Sequence, residues 1–405
     1  MKCRHCGGED FVPFADLGRP PPSNSYLGAA DAPEHSYPLR VAACRRCWLA
    51  QTEDFVDRET MFSADYAYTS SVSRSWLAHA ARYVDAMEAR FGLNVDSLVV
   101  EIAANDGYLL QYMAAKGIPC FGVEPTRSTA ALARARGLEI VEAFFGAELG
   151  RQLAGAGRGA DLVVANNVLA HVPDINDFTA GVAAILKDGG VATFEFPHLL
   201  RLVTLRQFDT IYHEHYSYLS FAAVCRILAH QGLAVFDVEE LETHGGSLRV
   251  YAQGAGGTHP VQPAVARLRA AETAAGVETE AFYRSFQAKA DAVRDALLAF
   301  LRGAKAHGDP VAAYGAAAKG NTLLNYAGVG RDLVSYVADL NPAKVGKFLP
   351  GSRIPVVSEQ HLRAGQPRWV LILPWNLRNE IMTQLSYVRD WGGGFVVAVP
   401  ELVTL

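Results

Sequence analysis

Short apolar runs rich in β-branched residues recur along the middle of the chain, each followed by a turn and a helical pattern. SLVVEIA (Ser97–Ala103) reads as a buried parallel strand. It ends in ANDG, and YLLQYMAAKG then reads as a helix closed by Gly117. CFGVEPT predicts a second strand with an acid, Glu124, at its end. DLVVANNVLAHVPD (Asp161–Asp174) predicts a third and GGVATFEFPH a fourth. The alternation runs from about residue 66 to about residue 251 and predicts a doubly wound α/β domain.

The pattern changes on both sides of this region. GAGGTHPVQP (Gly254–Pro263) is a Gly/Pro-rich break. A long helical stretch is expected from about Ala264 to Lys305, then a strand–loop–helix unit in VAAYGAAAKGNTLLNYA. Further strands are expected in LVSYVADLN, RWVLILPWN and FVVAVPEL, which makes a second, separate Rossmann-like α/β unit. The N-terminal residues are loop-rich, contain GRPPPSN, and have too few apolar positions for a solid core of their own. Three domains are therefore expected, at residues 1–72, 73–256 and 257–405.

Length and composition agree with this division. A chain of 405 residues is long enough for two or three domains, and half-apolar, one-fifth-charged composition is that of an ordinary globular protein. A formal net charge of −5 offers no basic surface for nucleic acid or an anionic membrane. No apolar run is long enough to span a bilayer, and MKCRHCGGEDF has no apolar signal region. The expected compartment is the cytoplasm, where thiols stay reduced and paired cysteines read as metal ligands before disulfides.

Four of the six cysteines form two pairs, Cys3-x-x-Cys6 and Cys44-x-x-Cys47. Four thiolates around a tetrahedral Zn²⁺ would staple the core-poor N-terminal segment, and four cysteines leave no open coordination position, so the zinc is structural. Cys120 and Cys225 stand in apolar or helical surroundings and read as small buried hydrophobes.

The turn after the first α/β strand bears on the ligand. In open α/β sheets the ligand sits beyond the carboxyl ends of the strands. Glu124 ends the next strand, 23 residues after Glu101, where a carboxylate can accept both ribose hydroxyls. The glycine-rich dinucleotide fingerprint is absent, since the turn reads Ala103-Ala104-Asn105-Asp106-Gly107. With no phosphate to cradle fewer glycines are needed, which points to an adenosyl ligand without phosphates, S-adenosylmethionine.

FDTIYHEHYSYLS (Phe208–Ser220) concentrates histidines, an acid and tyrosines. It is not HExxH. On a helix His213 and His215 would point apart; on a strand they would share a face but lack a third ligand. A buried polar network and a catalytic base remain as readings.

The order of these motifs carries a resemblance. A four-cysteine module, FSADYAYTSS, VVEIAANDGYLL, VEP, NNVLAHVPD, FEFPH, IYHEHYSYLS, THGGSLR and a GAAAKGN domain follow one another along the whole chain. This resembles the three-domain, zinc-containing, S-adenosylmethionine-dependent sugar C-methyltransferases that act on nucleotide-linked 4-ketodeoxysugars in antibiotic pathways. The resemblance implies deoxysugar biosynthesis, a class I methyltransferase fold in the middle domain, and a nucleotide-diphosphate sugar, thymidine diphosphate favoured, as the partner. It implies His215 as the base, with Glu214 and Tyr212 beside it, His171 as a second active-site histidine and Tyr66 reaching the sugar. Glu101, Ala103, Asn105, Gly107, Tyr108 and Leu109 would surround the methionine portion, and Tyr68 and Ser71 would close over its carboxylate. Glu124 would take the ribose, Pro125, Phe144 and Phe145 would border the adenine, and Asn166 and Asn167 would line the cleft floor. His244, Lys319, Asn321, Asp339 and Trp375 are expected at the substrate. Members more often carry an acid where this chain has His213, and a glycine where it has Ala103. O-methylation of a sugar or small natural product, and a non-catalytic scaffold, are the alternatives. The oligomeric expectation is a monomer or small homo-oligomer.

Overall fold

The computed structural model describes residues 1–55 and 69–405. The expected Tyr66 and Tyr68 contacts lie outside the described residues. Among the described residues, three sheets organise the fold.

The first sheet is antiparallel and joins β1 (Phe11–Asp16), β2 (Arg40–Cys44) and β3 (Ala50–Thr52). Its fourth strand, β9 (Ser217–Tyr218), comes from the far end of the histidine-rich motif and pairs Tyr218 with Ala50 and Ser217 with Gln51. As expected, this module builds no core of its own. Val12, Phe14, Leu39 and Val41 pack in one cluster with Tyr283, Phe286 and the C-terminal domain, and the Phe14 ring lies 4.7 Å from Phe286. Cys3, Cys44, Cys47 and Leu49 join the core of the middle domain instead. The small module is thus wedged between its two larger neighbours.

The middle sheet has the order β10–β11–β8–β7–β4–β5–β6. Its strands are β4 (Val99–Ile102), β5 (Cys120–Val123), β6 (Ile140–Val141), β7 (Ala160–Asn166), β8 (Leu186–Pro197), β10 (Leu233–Leu241) and β11 (Ser247–Gly254). All four residues of β4 are buried because helices cover both faces of a parallel sheet. The chain runs outward from β4 through β5 to β6, then crosses back to place β7 on the other side of β4. That reversal opens a crevice at the carboxyl ends of β4 and β7. β11 runs antiparallel between β8 and β10 and brings the THGGSLR segment to the same end.

The C-terminal sheet has the order β14–β13–β12–β15–β16–β17. It comprises β12 (Val311–Tyr314), β13 (Val337–Ala338), β14 (Val356–Val357), β15 (Trp369–Ile372), β16 (Gly394–Val397) and an antiparallel edge, β17 (Val403–Thr404). Its reversal point lies between β12 and β15. The helical stretch expected from Ala264 to Lys305 is three helices, Pro263–Ala275, Glu280–Arg284 and Phe286–His307. Gly276, at φ 75°, ends the first in the left-handed conformation that glycine adopts without a Cβ clash. Among the described residues, no helix is long and apolar enough to cross a membrane.

Candidate active site

Each cysteine pair sits in a tight knuckle. Gly7 N donates to Cys3 O at 3.0 Å, and Trp48 N donates to Cys44 O at 2.8 Å; both donors stand at positive φ. The four Sγ atoms lie within 4.8 Å of one another, with Cys3–Cys47 at 3.4 Å and Cys6–Cys44 at 3.5 Å. Thiolates bound tetrahedrally at about 2.3 Å from zinc would stand about 3.8 Å apart, so the donor set fits the ion. Cys120 and Cys225 are half-buried, and burial pushes both thiols up to about 11, as inert small side chains require.

The turn after β4 is built from left-handed residues: Ala103 at φ 58°, Asn105 at φ 49° and Gly107 at φ 78°. A Cβ on Gly107 would meet Leu138 Cδ1 at 2.3 Å, so this position admits glycine alone. Glu124 ends β5 with its carboxylate held from below, Oε2 accepting from Asn105 N and Oε1 from Thr126 N, each at 2.9 Å. Burial raises both Glu124 and Glu101 above the usual carboxylate range. Ser70 N donates to Asn105 Oδ1 at 2.9 Å, and the Ser71 hydroxyl donates to Asp106, which also receives Arg136 at 3.3 Å. The segment carrying Ser71 therefore does lie over the turn. On β7, Asn166 Oδ1 is buried without a hydrogen-bond partner among the described residues, and Asn167, at φ 54°, donates to His244 Nε2 at 3.4 Å.

The expected adenine border divides. Phe145 packs edge-to-face on Phe178 at 5.8 Å and belongs to the core, while Phe144 and Pro125 are half-buried. Leu109 is likewise fully buried. Tyr108 stacks at 5.8 Å on Trp76, which also lies 5.2 Å from the His244 ring.

In the histidine-rich motif, a single helical turn (Phe208–Thr210) leads into a buried loop. His215 Nδ1–H donates to Thr210 O at 2.8 Å, which leaves Nε2 as the acceptor. Its ring lies on Tyr212 at 4.0 Å and meets His171 edge-to-face at 4.6 Å. Burial, then the repulsion a protonated ring would meet from the protonated forms of His171 and His244 and from Lys319, hold His215 well below its ordinary value; burial lowers His171 to about 4. Both rings are thus neutral at pH 7. His213 turns away to Tyr37 O at 3.4 Å. Glu214 Oε1 accepts from Asn24 Nδ2 at 2.6 Å, and a backbone carbonyl, Thr210 O, orients the His215 ring.

The C-terminal domain closes the other wall. Lys319 Nζ lies 3.5 Å from His244 O, 3.3 Å from Asn376 Oδ1 and 4.9 Å over the Trp375 ring. Trp375 Nε1 donates to Asp209 at 2.6 Å, and burial lifts Asp209 to about 6. Burial lowers His244 to about 3, with the Lys319 charge adding to it. The Asn321 amide is 1 % exposed, and neither its oxygen nor its nitrogen has a partner among the described residues. Asp339 holds the turn after β12, accepting from Ala316 N and Asn341 N at 2.7 Å each. The paired glycines after His244 serve packing: a Cβ on Gly245 would meet the Trp375 ring at 2.3 Å, and one on Gly246 would meet Arg201.

Sequence reasoning missed Asn24, Trp76 and Asp209, and left Lys344 open between a ligand contact and a solvated surface charge. Lys344 Nζ donates to Ala316 O at 2.7 Å beneath Tyr26, and burial lowers it. The signal for Asn24 was present in GRPPPSN, a rigid proline run ending in an amide, but nothing local says what that amide meets.

Three family profiles match in series: a zinc binding domain (residues 3–62), a methyltransferase domain (76–238) and a C-methyltransferase C-terminal domain (242–400). C-methyltransferase NovU of Streptomyces niveus is 37% identical over 402 residues, 99% of this chain and 96% of that protein. The chain belongs to this C-methyltransferase family. Solved structures with partial likeness include magnesium protoporphyrin IX methyltransferase ChlM of Synechocystis with bound S-adenosylhomocysteine. It is 16% identical and covers 49% of this chain and 89% of its own, with a TM-score of 0.36. A methyltransferase of Archaeoglobus fulgidus is 14% identical and covers 48% and 99%, also with a TM-score of 0.36. As a family member this C-methyltransferase takes S-adenosylmethionine and carries a four-cysteine zinc site. The β4–β7 crevice fits the cofactor. It offers a glycine turn without room for a Cβ, a carboxylate at the end of β5 and an unpartnered Asn166 oxygen. Family membership favours carbon over the alternative of O-methylation, and an enzyme over a scaffold.

Proposed function

We propose that the acceptor is a nucleotide-diphosphate-linked 4-ketodeoxyhexose, methylated at a carbon next to the ketone, with His215 as the base. The observation that carries this reading is the His215 Nδ1–Thr210 bond at 2.8 Å, because it fixes the ring proton on Nδ1 and leaves Nε2 with the lone pair a base needs. Carbon methylation beside a ketone needs three things: a base for the C–H proton, stabilisation of the growing enolate oxygen, and in-line approach to the methyl group. S-adenosylmethionine supplies the methyl group. His215 Nε2 takes the proton and the C–H electron pair moves into the enolate. Tyr212, stacked on the imidazole, is the phenol donor for the oxyanion. Lys319 adds a positive charge close enough to depress His215 and His244.

The nucleotide-linked acceptor is supported by the wall facing these groups. Burial lowers the Lys319 ammonium, so an anionic diphosphate is the partner that would hold it charged, and the Asn321 amide, unpartnered among the described residues, supplies a donor and an acceptor whose burial costs free energy until a ligand meets them. Thymidine diphosphate is the favoured nucleotide by the family resemblance.

The test is solvent deuterium incorporation into a thymidine-diphosphate-linked 4-keto-6-deoxyhexose, with S-adenosylhomocysteine in place of the methyl donor. The wild-type protein should exchange the carbon-bound proton beside the ketone, and His215→Ala should not, while binding S-adenosylhomocysteine unchanged. Wild-type exchange rates in His215→Ala would remove the base assignment. Absence of thymidine diphosphate binding by calorimetry would move the acceptor to another nucleotide.

A further inference from the structure

The two residues between the first pair of zinc ligands both bond to segments distant in sequence. Arg4 has a side chain only 5% exposed. Its Nη1 donates to Pro173 O and its Nη2 to Thr52 O, each at 3.0 Å, and the guanidinium lies 4.9 Å over the Tyr216 ring. It also pairs with the Asp54 carboxylate. His5 and Asn176 exchange two further bonds, Nδ1 to Oδ1 at 2.9 Å and Nδ2 to His5 O at 2.8 Å.

Three of the Arg4 partners, Pro173, Thr52 and Tyr216, adjoin the His171 and His215 segments. Pro173 stands two residues after His171, and Tyr216 directly follows His215. Tyr216 N donates to Ala170 O at 2.8 Å, which ties the two segments to each other. Thr52, the other acceptor of Arg4, donates through its amide to Tyr216 O at 3.1 Å and through its hydroxyl to His215 O at 3.2 Å. A guanidinium presents donors in a rigid fork, so two carbonyls bound by one fork are held at a set separation. The ion pair alone does not account for the arrangement: Asp54 is 57% exposed and its attraction is screened.

We infer that Arg4 is a positioning residue for the methyl-transfer site, setting the contact between His171 and His215 from the zinc knuckle. The metal site then shapes the reaction centre as well as stapling the N-terminal module. The effect on turnover rests on the His215 reading above; the geometric claim stands without it.

The test uses the zinc-loaded full chain with Arg4→Ala and, separately, Asn176→Ala, which leaves all four cysteines and Arg4 in place. Zinc content, S-adenosylhomocysteine affinity and the titration of the His171 and His215 imidazole C2 protons by NMR are measured together. Arg4→Ala should keep its zinc and bind S-adenosylhomocysteine within about twofold. Its two imidazoles should titrate closer to the ordinary histidine value of about 6.5. Deuterium exchange into the thymidine-diphosphate-linked ketosugar should fall about 10- to 100-fold with little change in apparent KM, as expected of misplaced reacting groups. Asn176→Ala should move the same titrations in the same direction. Unmoved titrations in zinc-replete protein would overturn the inference. If Arg4→Ala fails to fold, unmoved titrations in Asn176→Ala overturn it alone. Shifted titrations with exchange intact in His215→Ala would keep the positioning role and discard the base.

Discussion

The side-chain amide of Asn24 donates a 2.6 Å hydrogen bond to Glu214 Oε1, across 190 residues of sequence. The proline-rich loop of the zinc module therefore touches the residue next to the candidate base. Glu214 is 3% exposed, so its carboxylate depends on such donors. Losing one partner of a buried charge costs about 1–3 kcal/mol. Asn24→Ala is expected to destabilise the loop by that order and to raise the acceptor KM, while leaving S-adenosylhomocysteine affinity unchanged. Denaturant titration and calorimetry on the same preparation check both halves.

The His171–His215 pair gives a pH prediction. Burial lowers His171 from about 6.5, its ordinary and unfolded value, to about 4. Above pH 6.5 both states are neutral and the folded site keeps its full contribution. As pH falls from 6.5 toward 4 the unfolded chain takes up the proton first, so stability drops by roughly 1.4 kcal/mol per pH unit for this group. His171→Asn should lose less stability than the wild type across that window. Equal acid sensitivity in paired denaturation curves would show that the ring is not buried neutral.

The same depression bears on turnover. With His215 held below its ordinary value, the acid limb of kcat/KM should lie below pH 6.5 and the profile should be flat through neutrality. A limb at or above 6.5 would mean that water reaches the ring.

The cofactor turn offers a contrast between two positions. Ala103 and Gly107 both have positive φ, but only Gly107 also lacks room for a Cβ. Ala103→Gly relieves left-handed strain of about 1–2 kcal/mol, part of which returns as backbone entropy, so it should be neutral or stabilising by up to about 1 kcal/mol. Gly107→Ala adds strain and a steric clash, and should cost at least about 2 kcal/mol and weaken S-adenosylhomocysteine binding. Thermal melting of the two variants checks the opposite signs.

Zinc removal should propagate beyond the knuckles. β3 pairs with β9, and β9 ends the histidine-rich motif. Stripping the metal with a chelator, or Cys6→Ser, should release the first sheet and abolish deuterium exchange, while the β4–β7 crevice still binds S-adenosylhomocysteine. Hydrogen exchange of the Ser217 and Tyr218 amides reads the coupling directly; unchanged protection there would argue that β9 is held by the middle domain alone.

Local sequence determined a great deal of this protein. The cysteine spacing, the β-branched run into Ala103–Gly107, the acid at Glu124 and the grouping of Tyr212, Glu214 and His215 are each written within a few neighbouring residues. Strand burial, tight turns and metal knuckles are short-range consequences of residue type, so these were legible. The pairings that give the site its chemistry are long-range. Nothing near Glu214 says that its partner is Asn24 rather than His215, and nothing near Gly245 says that its missing side chain makes room for Trp375. Phe145 reads equally as a ligand contact or as core until Phe178 is seen against it. Arg4 looks like a spacer between two ligands until the chain folds its guanidinium onto Pro173 and Thr52. These outcomes depend on which buried donor meets which buried acceptor once three domains close on one another. Desolvation makes every unpaired polar group costly, so the tertiary packing chooses the partners.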